Sequence, residues 1–370
     1  MLTAGGTFVA AFLAQRPSQK DIRPGINGDN GWCPMTATLL AWGKFAICAA
    51  LIGAAGPVLV RYGDVIARRT GLSQTWIGLL LLATATSLPE LLTGISAVTV
   101  AAAPNIAVGD ALGSCVFNLT ILVVIDTMQR KEPLYSCMDQ AHILTAGFGV
   151  ILIGFAGASL LFGSSDLDLR FLHIGVYTPI IAVLYLVAMR SAFIYERRRP
   201  MPHAMPENDP QVTLAMAVRR YLAAAIVVVG AGTWLPFIGL EIANVMNWRS
   251  TFVGTLFIAG ATSLPELVVT ISAMRLGALD LAIANLLGSN LFNIFILAID
   301  DLAYLRGPLF SVVSPAHVVT AFAAVIMSGI LIVALLYRPV TRFRGTIGWV
   351  SLALLVVYVL SSYAAYLHGH

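Results

Sequence analysis

The chain has 370 residues, of which 58% are hydrophobic and only 11% are charged, and its mean hydropathy is +0.86. A soluble domain carries roughly 25% charged residues, so this composition excludes a soluble protein and indicates a polytopic membrane protein. The net charge of +4 is modest and gives no indication of a nucleic-acid partner.

The first 35 residues precede the long apolar runs. They contain a short apolar patch, Phe8 to Ala14, without a basic region before it, which makes a poor secretory signal. We expect residues 1–35 to be a disordered leader, or an over-extended start with Met35 as the initiator.

Ten apolar runs follow, each near the roughly 20 residues that a helix needs to cross the hydrocarbon. The fold class we predict is therefore an all-α polytopic membrane protein with ten transmembrane helices. The first five spans form residues 36–194, a proline-rich and charged linker covers 195–213, and the last five spans form 214–370. The spans are predicted at residues 37–61, 73–98, 105–126, 141–163, 171–194, 214–240, 250–274, 280–300, 315–337 and 346–367.

The basic residues between these spans lie mainly on one side of the membrane. Because successive loops alternate sides, the loops of one side hold 15 Lys and Arg residues against 6 on the other. Basic residues concentrate in cytoplasmic loops. We therefore predict that both termini are extracytoplasmic, in a cell (inner) membrane.

A repeated stretch divides the chain into two related halves. The letters ATSLPEL occur at Ala85 to Leu91 and again at Ala261 to Leu267, and 14 of the 23 positions are identical when Thr75–Ala97 is aligned with Thr251–Ala273. The repeat unit has about five spans, and an odd number of spans forces the second copy to enter the membrane from the opposite side. We predict two inverted five-helix repeats.

Each copy of the repeat carries a proline in the middle of an apolar span. Proline cannot donate a backbone hydrogen bond and clashes with the preceding turn. Pro89 and Pro265 should therefore break or kink their helices near Thr86 and Thr262. We expect the break to release backbone carbonyls as free oxygen ligands, and the candidates are Ala83 and Ala259.

Oxygen-bearing side chains surround each proline. Hydroxyls four and three residues before each glutamate share its helix face, and the following span adds a serine and an asparagine one turn apart. The side chains of the first half are Thr86, Ser87, Glu90, Ser114 and Asn118, and those of the second half are Thr262, Ser263, Glu266, Ser289 and Asn293.

Pooled at the two-fold axis, these groups make one pocket of carboxylates, hydroxyls, amides and carbonyls. Such hard oxygen ligands suit calcium and also sodium, whereas zinc or copper would need thiolates or imidazoles that the stretch does not offer. We therefore predict no cofactor and transported cations as the ligands. The structural alternative is that Glu90 and Glu266 only hold helix ends together.

The two glutamates also give a physical basis for exchange. A buried carboxylate without a partner costs several kcal/mol or takes up a proton. Glu90 and Glu266 must then be occupied at every stage, so a cation or protons return when calcium leaves.

At these residues the sequence resembles the sodium/calcium exchanger family of the cation/calcium antiporter superfamily. The resemblance rests on "ATSLPEL…GDALGSCVFN" and "ATSLPEL…ANLLGSNLFN", about 45 residues in each half. It implies calcium-for-sodium antiport at the pocket residues and carbonyls named above. It also implies a packed group of spans 2–5 and 7–10, across which spans 1 and 6 slide as a tilted pair.

The chain departs from the family at several positions. Many sodium-coupled members have an aspartate where this chain has Asn118 or Asn293, whereas proton-coupled members replace the proline that this chain keeps. The resemblance therefore favours sodium over the alternative, a proton/calcium or other divalent-cation antiporter. Asp110, one turn before Ser114, is either an extra carboxylate at the pocket mouth or a helix-end cap.

Two other classes of protein fit less well. An intramembrane protease would carry Gly-x-Gly-Asp, Gly-x-Ser-Gly or His-Glu-x-x-His, and none of these occurs. A calcium channel would need a continuous pore, whereas inverted halves with broken helices favour alternating access. The predicted partners are calcium and sodium ions and the lipid bilayer, with no obligate protein partner.

Overall fold

The computed structural model describes most of the chain from Pro34 onward. The predicted leader, apart from its last two residues, and most of the predicted linker lie outside the described residues. The described ranges are 34–129, 133–163, 170–198, 212–246, 258–339, 342–343 and 347–368.

Ten helical segments in the described ranges correspond to the ten predicted spans. Eight of them are continuous helices long and apolar enough to cross a membrane. Two short helices and two short hairpins connect them. The segments are α1 (Pro34–Thr70), α2 (Gln74–Thr99), α3 (Pro104–Met128), α4 (Ala141–Gly163), α5 (Tyr177–Arg197), α6 (Leu214–Met246), α7a (Ile258–Thr262) with α7b (Leu264–Arg275), α8 (Leu279–Ala303), α9 (His317–Tyr337) and α10 (Trp349–His368). The all-α polytopic fold is confirmed.

Helices α1 and α6 are longer than the sequence predicts. They have 37 and 33 residues, and at 1.5 Å per residue each exceeds the roughly 30 Å hydrocarbon core. The two helices pack along each other. Lys44 Nζ of α1 lies 2.8 Å from Glu241 Oε1 of α6, and the Arg220 guanidinium of α6 donates to the Tyr62 hydroxyl of α1.

The prediction of a break near Thr86 is wrong for α2. An α-helix runs through Ala83–Thr99 with Pro89 inside it, and the irregularity is a π-helical segment, Gly78–Leu82, one turn earlier. The α8 backbone packs tightly here, since a methyl group at Gly78 would lie 2.7 Å from Leu281 O. Helix α2 is therefore continuous through its proline, and its π-helical segment lies where α8 packs closely against it.

The predicted break in the second half is confirmed. Helix α7a ends at Thr262, Ser263 has non-helical backbone angles (φ −83°, ψ 8°), and α7b begins at Leu264. Pro265 is then the second residue of α7b. A backbone N–H at that position has no acceptor within the helix, so the proline costs no helical hydrogen bond.

A two-residue hairpin precedes each of α5 and α10. The strands are β1 (Arg170–Phe171) with β2 (Ile174–Gly175), and β3 (Arg342–Phe343) with β4 (Ile347–Gly348). One aspartate accepts hydrogen bonds at each hairpin. Asp301 of α8 accepts from Gly175 N at 2.9 Å, and Asp126 of α3 accepts from Gly348 N at 2.7 Å. Each half therefore holds the last helix of the other.

The centre of the fold is formed by α3 and α8, which are the most buried of the long helices. They pack against each other and against α2. The close approach of α8 to α2 requires a glycine, because a methyl group at Gly288 would lie 2.5 Å from Leu79 O. This packing leaves the repeated stretches of α2 and α7 in the protein interior.

Candidate ion-binding site

Glu90 and Glu266 lie inside the protein and contact the opposite half of the chain. Their residues are 1% and 0% exposed. Ser87 Oγ donates to Glu266 Oε1 at 3.0 Å, and Ser263 Oγ of α7 donates to Glu90 Oε1 at 3.4 Å. Because each carboxylate accepts from the serine beside the other, the two glutamates share one buried chamber.

The remaining hydroxyls of the predicted set line the same chamber. Ser289 Oγ of α8 donates to Glu266 Oε1 at 3.4 Å and lies 3.4 Å from Thr86 Oγ1. Ser263 Oγ lies 3.1 Å from Ser114 Oγ of α3. The structure therefore brings side chains of α2, α3, α7 and α8 together, as the sequence predicts.

The asparagines pair across the two central helices. Asn118 Nδ2 of α3 donates to Asn290 Oδ1 of α8 at 3.1 Å, and Asn290 Nδ2 donates to Cys115 O at 3.2 Å. Asn293 is also fully buried. These bonds fix the spacing of α3 and α8 and orient Asn118 so that its side-chain oxygen stays unpaired.

The two candidate carbonyls already have hydrogen-bonding neighbours. Ala259 O accepts from Ser263 N at 3.1 Å and lies 3.0 Å from Thr262 Oγ1, and Ala83 O lies 3.3 Å from Thr86 Oγ1. The expectation that the break releases Ala259 O is wrong, because the hydrogen bond Ser263 N makes to it spans the break. A carbonyl oxygen has two lone pairs, so both atoms stay candidates as ligands.

Several buried oxygens of the chamber have no hydrogen-bond partner. Buried polar atoms are normally paired, so unpaired oxygens grouped in one place indicate a ligand. No lysine or arginine among the described residues is buried to neutralise the carboxylates. The unpaired oxygens are Glu90 Oε2, Glu266 Oε2, Asn118 Oδ1 and Asn293 Oδ1.

This donor set fits a hard cation. Among the described residues, no group of three or more His, Cys, Asp and Glu side chains is arranged to hold a metal. The chamber instead combines two carboxylates with hydroxyls and amides. All its donors are oxygens of the kind that calcium takes in flexible cages.

Asp110 is not a helix-end cap. It lies inside α3, which begins six residues earlier at Pro104, and it is 1% exposed. Its Oδ1 accepts from Thr262 Oγ1 at 2.9 Å. Of the two interpretations that the sequence left open, the extra carboxylate at the pocket is the one that agrees with the structure.

Sequence reasoning missed three polar residues around the chamber. Asn285 accepts from Thr86 Oγ1 at 3.4 Å, Asn290 joins the asparagine network, and Asp300 is fully buried in α8. The repeat alignment could have found Asn285 and Asn290, which match Asp110 and Cys115. Asp300 matches Ile125, so the repeat gave no signal for it.

A small cavity adjoins the chamber between α3, α7a, α9 and α10. Its volume is about 50 Å³, and its lining includes Gly113, Ala259 and His317. This volume admits a few water molecules. The cavity therefore brings space for water to the Ala259 edge of the chamber.

Helix α6 lies against the two site-bearing stretches at their prolines. A methyl group at Gly232 would lie 2.6 Å from Pro89 Cγ and 3.3 Å from Pro265 Cγ. The equivalent glycine of α1, Gly56, lies against Val268 of α7b in the same way. The long helix pair therefore touches the site-bearing helices at their prolines and at the turn that follows.

Comparisons with known proteins identify the family and the fold. The family described as sodium/calcium exchanger protein matches residues 40–197 and 220–367. An uncharacterized membrane protein of Methanocaldococcus jannaschii is 29% identical over 318 residues, which cover 83% of this chain and 95% of the relative. The sodium/calcium exchanger MaX1 of Methanosarcina acetivorans is 34% identical over 131 residues, which cover 34% of this chain and 35% of the relative.

A solved structure of the sodium-calcium exchanger NCX_Mj, soaked with 10 mM Na⁺ and zero Ca²⁺, has the same fold. The TM-score is 0.66 at 22% sequence identity, and the match covers 88% of this chain and 98% of that chain.

Proposed function

Because the chain belongs to the sodium/calcium exchanger family, we propose that it exchanges calcium for sodium across a membrane by alternating access. Members of this family are transporters and not enzymes, and they use no cofactor beyond the cations that they carry. The observation that carries the proposal is that Glu90 and Glu266, one from each half, share a single buried chamber with unpaired oxygens.

The proposed cation ligands are the twelve residues that the repeat identifies. Two carboxylates neutralise one divalent cation, and the hydroxyls, amides and carbonyls complete the six to eight oxygens that calcium takes. The proposed set is Ala83, Thr86, Ser87, Glu90, Ser114, Asn118, Ala259, Thr262, Ser263, Glu266, Ser289 and Asn293.

The charge of the chamber supports exchange over passive flow. Two carboxylates buried without a cation are costly, because each ionised group loses its hydration and the serine hydrogen bonds replace only part of it. A vacant chamber therefore crosses between its two orientations rarely, whereas a chamber filled with calcium or with sodium ions crosses readily. Calcium release on one side then requires another cation to take its place.

The retained prolines, Pro89 and Pro265, support sodium as the coupling ion. One observation supports protons instead, since neutral Asn118 and Asn293 stand where many sodium-coupled members have an aspartate. A proton/calcium antiporter is therefore the second candidate function.

Localisation follows from the same helices. The chain is an integral membrane protein that crosses the membrane several times. The concentration of basic residues in one set of loops supports an inner-membrane protein with both termini extracytoplasmic.

The test is calcium uptake by everted vesicles or proteoliposomes that contain the purified chain. An outward sodium gradient at fixed pH should drive ⁴⁵Ca²⁺ uptake, and Glu266→Gln should abolish it because one of the two neutralising charges is lost. A matched control is Glu241→Gln on α6, which alters a half-exposed carboxylate away from the chamber. Uptake driven by a pH gradient alone would establish the proton antiporter, and uptake that needs no counter-gradient would establish a channel.

A further inference from the structure

The chamber has a different charge at its two ends. Repeat equivalence relates α3 to α8 and α2 to α7b, so each residue near one end has a counterpart at the other. At one end lie Asp110, Asp300 and Gly94, and their counterparts are Asn285, Ile125 and Thr270. The first end carries two carboxylates, and its counterpart carries none.

The uncharged end satisfies its own hydrogen bonds. Asn285 Nδ2 donates to Thr270 Oγ1 at 3.4 Å, and Asn285 Oδ1 lies 3.4 Å from Thr86 Oγ1. The neutral amide therefore has a polar neighbour on each side, and neither of its polar atoms is among the unpaired ones.

The acidic end leaves its oxygens without partners. Asp300 is 0% exposed, and neither of its carboxylate oxygens has a hydrogen-bond partner among the described residues. Asp110 Oδ2, also buried, is unpaired as well. Asp301, the next residue after Asp300, accepts four hydrogen bonds, three from the hairpin and start of α5 and one from Leu309 N, so burial at this depth does not by itself leave an aspartate unpaired.

Gly94 makes room for the Asp300 carboxylate against α2. A methyl group at position 94 would lie 2.4 Å from Asp300 Oδ2 and 2.7 Å from Oδ1. Gly94 follows Glu90 by one helical turn, so the Asp300 carboxylate lies beside α2 one turn from the chamber. In the other half, Asn285, the counterpart of Asp110, donates to Thr270, the counterpart of Gly94. Repeat equivalence therefore places Asp110 near Gly94, on the same side of α2 as the Asp300 carboxylate.

We propose that Asp110 and Asp300 form an accessory binding site for a sodium ion at this end of the chamber, next to the site that holds calcium. The proposal rests on the sodium coupling proposed above. The unpaired oxygens here are Asp110 Oδ2 and both oxygens of Asp300. Three oxygens fall short of the six to eight that calcium takes, and a bound cation relieves the repulsion between the two carboxylates.

In this proposal, Asp110 connects the accessory site to the calcium site. Its Oδ1 holds the Thr262 hydroxyl, which belongs to the proposed calcium ligands, and its Oδ2 belongs to the accessory site. A sodium ion at Oδ2 therefore acts on the calcium site through one carboxylate.

The experiment measures equilibrium binding of ²²Na⁺ and ⁴⁵Ca²⁺ to the purified full-length chain. Asp300→Asn should bind one sodium ion fewer than the wild type, while its calcium affinity changes less than about threefold. Gly94→Ala should lose the same ion, because the added methyl displaces the Asp300 carboxylate without removing a charge. The control is Asp280→Asn, a partly exposed carboxylate whose repeat counterpart is already an asparagine, Asn105, and which should keep the wild-type sodium count.

Calcium binding and a single size-exclusion peak establish that each variant is folded. If the wild type binds sodium while Asp300→Asn and Gly94→Ala keep its sodium count, the accessory site is disproved and sodium coupling stands. If the wild type binds calcium but no sodium, sodium coupling itself fails, and the accessory site fails with it. A variant that changes only the number of protons released on calcium binding shows a proton site and also overturns the proposal.

Discussion

At the scale of single residues, the site depends on hydrogen bonds that cross between the two halves. Ser87 donates to Glu266 and Ser263 donates to Glu90. Each bond uses one oxygen of a carboxylate and leaves the other oxygen free for a cation. The serines therefore orient the two carboxylates toward the chamber.

Replacing Ser87 tests this orientation. Ser87→Ala removes the 3.0 Å bond to Glu266 Oε1 and a proposed cation ligand. Hydrogen bonds to charged groups contribute about 1.5–3 kcal/mol, so we expect calcium to bind about 10-fold to 100-fold more weakly in an equilibrium ⁴⁵Ca²⁺ assay. Ser272→Ala is the control, since that hydroxyl bonds only to Val268 O of its own helix. Equal Kd values for Ser87→Ala and the wild type would show that Ser87 neither orients nor binds.

At the scale of helices, α6 faces the site through a glycine. Gly232 lies against Pro89 and Pro265, the prolines of the two site-bearing stretches. A larger residue here meets proline rings, which cannot rotate away. The family resemblance implies that α1 and α6 slide across the other helices. A glycine without a side chain at this contact would allow such sliding.

A single methyl group at this contact should slow transport. We expect Gly232→Ala to lower the rate of sodium-driven calcium uptake at least several-fold, because its Cβ overlaps Pro89 Cγ, while equilibrium calcium binding stays within about threefold. Gly230→Ala is the matched control, since its Cβ meets nothing within 4 Å, and Ala favours a helix over Gly by up to about 1 kcal/mol. A wild-type uptake rate in Gly232→Ala would contradict a sliding contact at this point.

At the scale of the whole molecule, the two halves hold each other through matched aspartates. Asp301 of α8 accepts from Gly175 N, Tyr177 Oη, Thr178 Oγ1 and Leu309 N, three of which belong to the start of α5. Asp126 of α3 accepts from Gly348 N and Ser351 Oγ at the start of α10. A helix N-terminus presents unpaired N–H groups and a partial positive charge, so each aspartate fixes a helix of the opposite half.

These anchors should contribute to stability and not to ion binding. Asp301→Asn replaces a charged acceptor of four hydrogen bonds, and we expect the free energy of unfolding to fall by about 2–4 kcal/mol. Asp126→Asn, with two bonds, should cost less. Thermal unfolding in detergent, with and without saturating calcium, measures both effects. An unchanged midpoint in Asp301→Asn would contradict the anchoring role.

Much of the architecture followed from the sequence. Hydrocarbon thickness sets the length of a span, so ten apolar runs predicted ten helices. The duplicated stretch predicted which two carboxylates share a chamber, because identical local sequences in related halves fold alike. The break at Ser263 was predicted from its proline, but the same proline leaves α2 unbroken, so the sequence alone did not decide which of the two helices breaks.

Other features depended on contacts between residues far apart in the chain. The π-helical segment of α2 lies before Ala83, where α8 packs closely at Gly78, and Pro89 lies inside a continuous helix, whereas the same proline in α7 stands at the start of a new helix. Thr262 of the other half decided that Asp110 faces the chamber and does not cap a helix. Asp300 gave no signal because its repeat counterpart is Ile125.

The sequence by itself thus determined the membrane class, the ten spans, the duplicated halves and the set of candidate oxygen ligands, because span length, residue type and repetition are local properties of the chain. Only the tertiary structure decided which of those oxygens are already hydrogen-bonded and which remain unpaired. Pairing depends on side chains brought within about 3 Å from positions 150 or more residues apart, and that proximity exists only once the helices have packed.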